Sequence, residues 1–326
     1  VSDYAHFVAA KMAVPSQSGI DVERADLNSA LFGYQRDIVA WALRRARAAV
    51  FADCGMGKTL MQLAWADEVV RATGGRVLIL APLAVADQTV REGERFGVRV
   101  VHVQRPEDTD AAIVITNYDR LGAFVDAQWS GVALDESSIL KSYDGATRNA
   151  IIAGFAATPY RTAWTATPAP NDHMELGNHA EFLGVKTRVE MLAEYFVHDG
   201  GDVAAWRLKG HAEDLFWRWV CSWAAMIRKP SDLGYSDEGF ALPELSWRER
   251  VIPVEHRDAW AEGFLFAPDA VSLSDQRSTR RMTLAKRIVE AAAIVAAEPD
   301  DQWLIWCELN AEGDALESAI DGAVQV

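Results

Sequence analysis

Apolar residues in the first half of the chain fall in short continuous runs, separated by stretches of helical period. Residues 48–51, 76–80, 98–103, 112–116 and 131–134 each read as one buried strand. Residues 30–44 and 59–71 read as helices, and Leu31, Ile38, Val39 and Leu43 are the expected core positions of the first. Largely apolar strands that alternate with helices predict an α/β fold, a parallel sheet covered by helices on both faces. Residues 157–163 are ambiguous; 161–165 reads as a short strand of edge-like polarity ending in a loop at 166–168.

The pattern changes beyond residue 175. Residues 212–223 are helical by period, with Phe216, Trp219 and Trp223 on one face and Trp217 nearer the side. An aromatic stripe without dense basic interleaving is expected to pack on the domain rather than to stack on bases. Residues 232–245 read as a linker punctuated by Gly and Pro, and 251–254 as a strand of a crossing region. Arg277, Arg280, Arg281, Lys286 and Arg287 form one basic cluster, a solvated helix face or a strand-facing patch. The apolar run 302–307 reads as the opening strand of a second domain, followed by a helix from about Gly313. The expected division is therefore 1–175, 176–245 and 246–326.

Chemistry enters between the first strand and the helix at 59. Residues 52–59, A-D-C-G-M-G-K-T, make a glycine-rich turn that opens a helix. Such a turn cradles a triphosphate: backbone N–H groups around Gly55 and Gly57 face the phosphate oxygens, Lys58 reaches the β/γ pair, and the Thr59 hydroxyl meets Mg²⁺. Ala52 stands where the full pattern has glycine. The strand at 131–134 then runs into Asp135-Glu136, adjacent carboxylates suited to nucleotide hydrolysis. Asp135 is expected to hold Mg²⁺, directly or through water, and Glu136 to orient and deprotonate the attacking water. The expected cofactors are ATP and Mg²⁺.

Charge complicates the choice of partner. The chain has 47 acidic and 32 basic residues, a net charge of -15, which predicts repulsion from a polyphosphate backbone. Nucleic-acid binding is therefore expected to be weak and local. No apolar window approaches the roughly 18 residues of a membrane span, and the N-terminus lacks the build of a secretory signal. Cys54, Cys221 and Cys307 are scattered, have no metal-binding spacing, and fit a reducing cytoplasm.

The remaining landmarks carry a resemblance. Tyr34-Gln35 precedes the phosphate loop, and Ala81-Pro82-Leu83-Ala84-Val85 and Ile115-Thr116-Asn117-Tyr118 follow strands. The acidic box is Asp135-Glu136-Ser137-Ser138, and Trp164-Thr165-Ala166-Thr167-Pro168-Ala169-Pro170-Asn171 comes after it. In this order and spacing they resemble the superfamily 2 helicases and translocases (DEAD/DEAH-related), most nearly the Swi/Snf-like branch as phage-encoded members show it. The resemblance covers residues 28–175 strongly and the rest weakly.

That resemblance implies a P-loop NTPase with a RecA-like first domain, a helical extension and the start of a second RecA-like domain. It implies an ATP-dependent DNA helicase or double-stranded DNA translocase. By its motifs, Gln35 recognises adenine, Gly55, Gly57, Lys58 and Thr59 hold phosphate and magnesium, and Asp135 and Glu136 form the Walker-B-like pair. Thr165 and Thr167 couple nucleotide state to movement. Pro82, Thr116 and Asn117, with the pair Arg228-Lys229, face nucleic acid. That pair also reads as charge at a helix C-terminus. Duplex DNA is the implied partner, with further phage or host replication or packaging proteins and no membrane. Ser137-Ser138 departs from the commoner alanine-histidine ending, which removes a histidine relay and leaves small hydroxyls, Thr165 or Gln35 to bridge the gap. The sequence stops early in the second domain and does not begin with Met, which reads as a fragment or as a chain completed by another. An arginine finger from a second domain adds about 10³–10⁵ in rate, so this chain alone is expected to hydrolyse ATP weakly. A nucleotide-binding adaptor without helicase activity and a P-loop kinase of a small metabolite stay open as alternatives.

Overall fold

The computed structural model describes residues 18–142, 145–198, 206–252 and 272–325. The chain divides into two compact units between Leu242 and Pro243. The first is built on strands β1 (Arg47–Ala52), β2 (Val77–Ala81), β3 (Val100–His102), β4 (Ile113–Asn117), β5 (Gly131–Asp135), β6 (Tyr160–Thr165) and β9 (Ala224–Ile227). They form one sheet in the order β3-β4-β2-β5-β6-β1-β9, and every pairing is parallel. Successive side chains of a strand point to opposite faces. Ala48 and Val50 accordingly join one core, and Ala49 and Phe51 the other.

Helices α1 (Gly33–Arg45), α2 (Lys58–Thr73) and α3 (Leu83–Phe96) supply the first core. The second takes residues from α4 (Ala146–Gly154), α5 (Leu176–Leu183), α6 (Arg188–Tyr195) and α7 (Glu213–Trp223). The expected α/β architecture, with helices on both faces, is present. Leu31, Ile38, Val39 and Leu43 are all buried. Phe216, Trp219 and Trp223 are buried beneath α7, while Trp217 is half-buried, so the stripe is a packing face. A short antiparallel pair, β7 (Phe196–His198) and β8 (Trp206–Leu208), lies apart from the main sheet.

Three expectations about the first unit need correction. β6 is central, between β5 and β1, and not an edge strand. Two of its polar side chains find partners inside: Arg161 donates to the carbonyls of Phe182 and Leu183 at the end of α5, and Thr165 to Glu136. Burial, with the nearby Arg47 charge, lowers the Arg161 guanidinium to about 10. The segment expected to be only helical also contributes β9, which pairs with β1; its four residues directly continue α7 and carry no strand period of their own. The presumed linker is folded as far as Phe240. The Tyr235 hydroxyl donates to Asp37 Oδ2 at 2.7 Å, and the Phe240 ring lies 5.5 Å from Phe32 and 5.7 Å from Tyr34.

The second unit holds helices α8 (Leu273–Met282), α9 (Leu284–Ala297) and α10 (Asn310–Ala319). Residues 302–307 have no regular secondary structure and form no strand. A strand needs a neighbour for its N–H and C=O groups, and no described residue pairs with this run. Trp306 stays 87% exposed and Leu304 75% exposed. Val251 and Ile252 are irregular, and Pro253 and Val254 lie outside the described residues. In the basic cluster, Arg280 pairs with Glu308 and Arg287 with Glu312. Arg277 and Arg281 are exposed. No described helix is long and apolar enough to cross a membrane.

Candidate active site

A parallel sheet gathers the C-terminal ends of its strands at one edge, where ligands of open α/β sheets bind. Asn117, Asp135 and Thr165 are the last residues of β4, β5 and β6, and the glycine-rich loop follows β1. Gly55 and Gly57 have φ of +79° and +76°, a region that costs residues with a Cβ and is free to glycine. Gly57 has a second reason: a Cβ there would stand 2.3 Å from Gln35 Nε2. α2 begins at Lys58, so its free N–H groups face the loop. The Lys58 ammonium donates to the carbonyls of Ala52 at 2.9 Å and Asp53 at 3.2 Å. Ala52 fits in place of glycine because residue 52 is still strand, paired with Ile227 of β9. A cleft of about 540 Å³ opens beside the loop, with Gln35, Gly57, Lys58 and Thr59 in its lining and Glu92 and Arg95 of α3.

Gln35 is 3% exposed and its amide is engaged within the protein. Nε2 donates to the Met56 carbonyl at 3.0 Å and to the Tyr34 hydroxyl at 3.3 Å, and Oε1 accepts from Phe32 N–H at 2.9 Å. It therefore ties the start of α1 to the phosphate loop, and it does not bridge toward the acidic box.

The acidic box is tightly connected. Gln62 of α2, buried at 2% exposure, donates to Asp135 Oδ1 at 2.6 Å. Burial is the main cause that raises the Asp135 carboxyl above its usual range; the Gln62 bond opposes it, the Glu136 charge adds to it, and Lys58 lowers it. The Tyr118 hydroxyl donates to the Asp135 carbonyl at 2.6 Å. Burial, with the two carboxylates, raises that hydroxyl well above its ordinary value. Glu136 has φ +50°, ψ +55°, a left-handed conformation that costs a residue with a side chain about 1–3 kcal/mol and persists only where neighbours over-determine it. Its Oε1 accepts from Thr165 Oγ1 at 2.6 Å and Ser138 Oγ at 2.9 Å. Thr165 Oγ1 also accepts from Thr167 N–H at 3.0 Å. The two threonines of the T-A-T-P segment are thus bonded in series to Glu136.

A histidine does meet the box, from elsewhere in the chain. His179 Nε2 lies 3.1 Å from Ser137 Oγ, and both residues are fully buried. Burial lowers its imidazole to about 4, partly offset by the carbonyls of Glu175 and Ser137. The ring is therefore neutral near pH 7. Gln62, Tyr118 and His179 were not among the sequence candidates for the site. Gln62 is one helical turn from Lys58 on the same helix, which is a usable signal; residues 178–184 resemble the family segment that trails the first motor domain, but only folding brings His179 to residue 137.

The residues expected to face nucleic acid are dispersed. Pro82 caps α3, and Leu83 beside it is 64% exposed. Thr116 is fully buried within β4, and Asn117, 7% exposed, accepts from Arg120 N–H at 3.2 Å. Neither of these two side chains reaches a surface, because β4 is an interior strand with helices on both sides. Arg228 and Lys229 are exposed and follow β9, which corrects the helix C-terminal reading. Their N–H groups donate to Asp232 Oδ2 at 2.7 and 3.1 Å. Asp53 N–H donates to the Ile227 carbonyl at 3.0 Å, so the pair starts beside the phosphate loop.

Residues 34–191, which carry every one of the loop and box residues described above, match the family model of the SNF2-related domain. This part of the chain is similar to that family. The fold recurs in the SWI2/SNF2 ATPase core of Sulfolobus solfataricus solved in complex with double-stranded DNA. That structure is 19% identical, with TM-score 0.54 over 67% of this chain and 48% of the other. The SWI2/SNF2 ATPase core domain of the same organism gives 19% identity and TM-score 0.50 over 71% of this chain and 50% of that one. The chain spans about half the length of these solved structures. No curated protein matches it.

Proposed function

We propose that the chain is the nucleotide-binding part of an ATP-dependent DNA motor, a helicase or double-stranded DNA translocase. The observation that carries this reading is the series Thr167–Thr165–Glu136 at the strand ends beside the Lys58 loop. A metabolite kinase has no need to wire its acidic residue to a loop leading away from the phosphates; a motor does. The SNF2-related domain supports the same reading, as does the double-stranded DNA named for the Sulfolobus core.

In this reading the Lys58 ammonium turns from the Ala52 and Asp53 carbonyls to the β- and γ-phosphates of ATP. Gly55, Gly57 and the first N–H groups of α2 cradle the phosphates. Thr59 and Asp135 would hold Mg²⁺, which would supply neutralisation of the phosphate charge. Asp135 fits that role: its carboxylate is buried next to Glu136, and a cation would relieve both costs. Among the described residues no group of three or more His, Cys, Asp or Glu could hold a metal. This suits an ion that keeps several waters and binds through one carboxylate and phosphate oxygens. Glu136 orients the attacking water and takes its proton. Thr165 and Thr167 carry the change at Glu136 toward the 166–170 loop. Pro82 with its exposed neighbours, and Arg228-Lys229, are the remaining candidates for DNA.

Two variants test the reading. Lys58→Ala should abolish binding of a fluorescent ATP analogue while the melting temperature holds. Glu136→Gln should keep affinity within a few-fold and cut single-turnover hydrolysis by about 10²–10⁴. Lys58→Ala with unchanged affinity overturns the nucleotide site. Intact hydrolysis that duplex DNA never stimulates favours an enzyme other than a motor, and binding without hydrolysis favours an adaptor.

A further inference from the structure

Glu136 sits in a left-handed conformation, and something must hold it there. Its two flanks are fixed differently. On the N-terminal side, Asp135 is paired in β5, and Tyr118 grips its carbonyl at 2.6 Å. On the C-terminal side the chain enters the short 3₁₀ turn Ser137–Lys141, which has no strand to hold it. Consecutive residues of α5 grip that turn instead. His179 meets Ser137 Oγ at 3.1 Å, and Asn178 Nδ2 donates to the carbonyls of Leu140 at 2.8 Å and Lys141 at 3.2 Å.

α5 is itself anchored to the strand that bears Thr165. Arg161 of β6 donates to Phe182 and Leu183 at the helix end, and Thr165, at the far end of β6, donates to Glu136. The contacts close a ring: β6, α5, Ser137, Glu136 and back to β6. The His179 imidazole is wedged inside this ring, with the Phe51 ring edge-on at 5.4 Å and 83°.

We propose that His179 is a positioning residue for hydrolysis, which clamps Ser137 and so keeps Glu136 turned toward the nucleotide. This rests on Glu136 being the residue that activates water. The clamp acts on orientation alone, since His179 is fully buried and meets the box only through Ser137. Its loss should therefore slow hydrolysis without weakening nucleotide binding, because Lys58 and the loop do not touch α5's side of the turn. A displacement of about 1 Å in a reacting group can cost about 10²-fold in rate.

The test uses the whole chain with four single variants, His179→Leu, His179→Gln, Ser137→Ala and Glu136→Gln, and the His179→Leu, Ser137→Ala double variant. His179→Leu fills the site without a polar atom, and His179→Gln returns an amide at about the reach of Nε2. Single-turnover ATP hydrolysis, Mg²⁺–ATP affinity and amide hydrogen exchange across residues 131–142 are measured for each. The expected result is that His179→Leu loses about ten- to a hundred-fold in hydrolysis, keeps its ATP affinity, and exchanges faster at Ser137 and Ser138. His179→Gln should recover most of the rate. Adding Ser137→Ala to His179→Leu should cost nothing further, since both remove one bond. Unaltered exchange at 137–138 in His179→Leu overturns the clamp. So does a parallel loss of affinity, melting temperature and rate that glutamine does not rescue. Glu136→Gln at the wild-type rate would instead overturn the choice of base, while the exchange measurement still decides the clamp.

Discussion

Gln62 Nε2 stands 2.6 Å from Asp135 Oδ1, one turn of α2 away from Lys58. The bond joins the helix that follows the glycine-rich loop to the acidic box. It also opposes the burial that raises the Asp135 carboxyl. Gln62→Leu removes the donor and leaves a buried carboxylate oxygen without it, a loss of about 1–3 kcal/mol in stability. Mg²⁺-dependent nucleotide affinity should fall with it, since the Asp135 carboxylate is then harder to keep charged. Denaturant unfolding and nucleotide titration with and without Mg²⁺ would check both; an unchanged Mg²⁺ dependence would make Gln62 a purely structural residue.

The bond between Thr165 and Glu136 predicts a different signature. Thr165→Val preserves shape in a fully buried site but removes the hydroxyl that serves Glu136 and Thr167. Nucleotide affinity should hold, while DNA stimulation of hydrolysis disappears before basal hydrolysis does. Rates with and without duplex DNA separate the two. If both fall by the same factor, Thr165 only orients Glu136 and couples nothing.

Acid sensitivity follows from His179. Its folded value is about 4, below the ordinary value of about 6.5 for histidine. A group depressed by folding lends stability that is complete above its unfolded value and is lost as pH falls through its folded one. The window is therefore between about 6.5 and 4, and the shift corresponds to about 3 kcal/mol when the window is crossed. Wild type should lose more stability than His179→Gln on going from neutral pH to the bottom of that window. Urea midpoints of the two proteins at both pH values would measure the difference, and parallel slopes would contradict it.

DNA contact is the prediction under most tension, given a net charge of -15. Arg228 and Lys229 are exposed beside the phosphate loop, and Lys229 Nζ is 3.7 Å from Asp237 Oδ2, an ion pair on the surface. Reversing both to glutamate should weaken duplex binding and reduce its log–log salt slope by roughly one to two units, about one per lost phosphate contact. Nucleotide affinity should stay. Fluorescence anisotropy at several salt concentrations decides it, and an unaltered slope would leave the pair with a structural role only.

Much of this protein was legible in the order of its residues. Apolar runs such as 77–80 suit strands buried on both faces, and their alternation with helices favours parallel pairing, because a crossover returns each strand to the same end. The glycine-rich loop and the Asp135-Glu136 pair are local patterns, in which chemistry and spacing are carried by neighbours in sequence. What escaped the sequence has one common cause. β6 looks polar until α5 supplies carbonyls for Arg161 and β5 brings Glu136 to Thr165. β9 is too short to announce itself and exists because β1 offers an edge. The run at 302–307 has strand composition but no described partner, so composition alone did not make it a strand. Gln62 and His179 reach the site from positions 73 and 42 residues away from their partners. Local sequence determines which groups a segment can offer. Only packing decides which group meets which, because a buried polar atom takes its partner from whatever element folding lays against it.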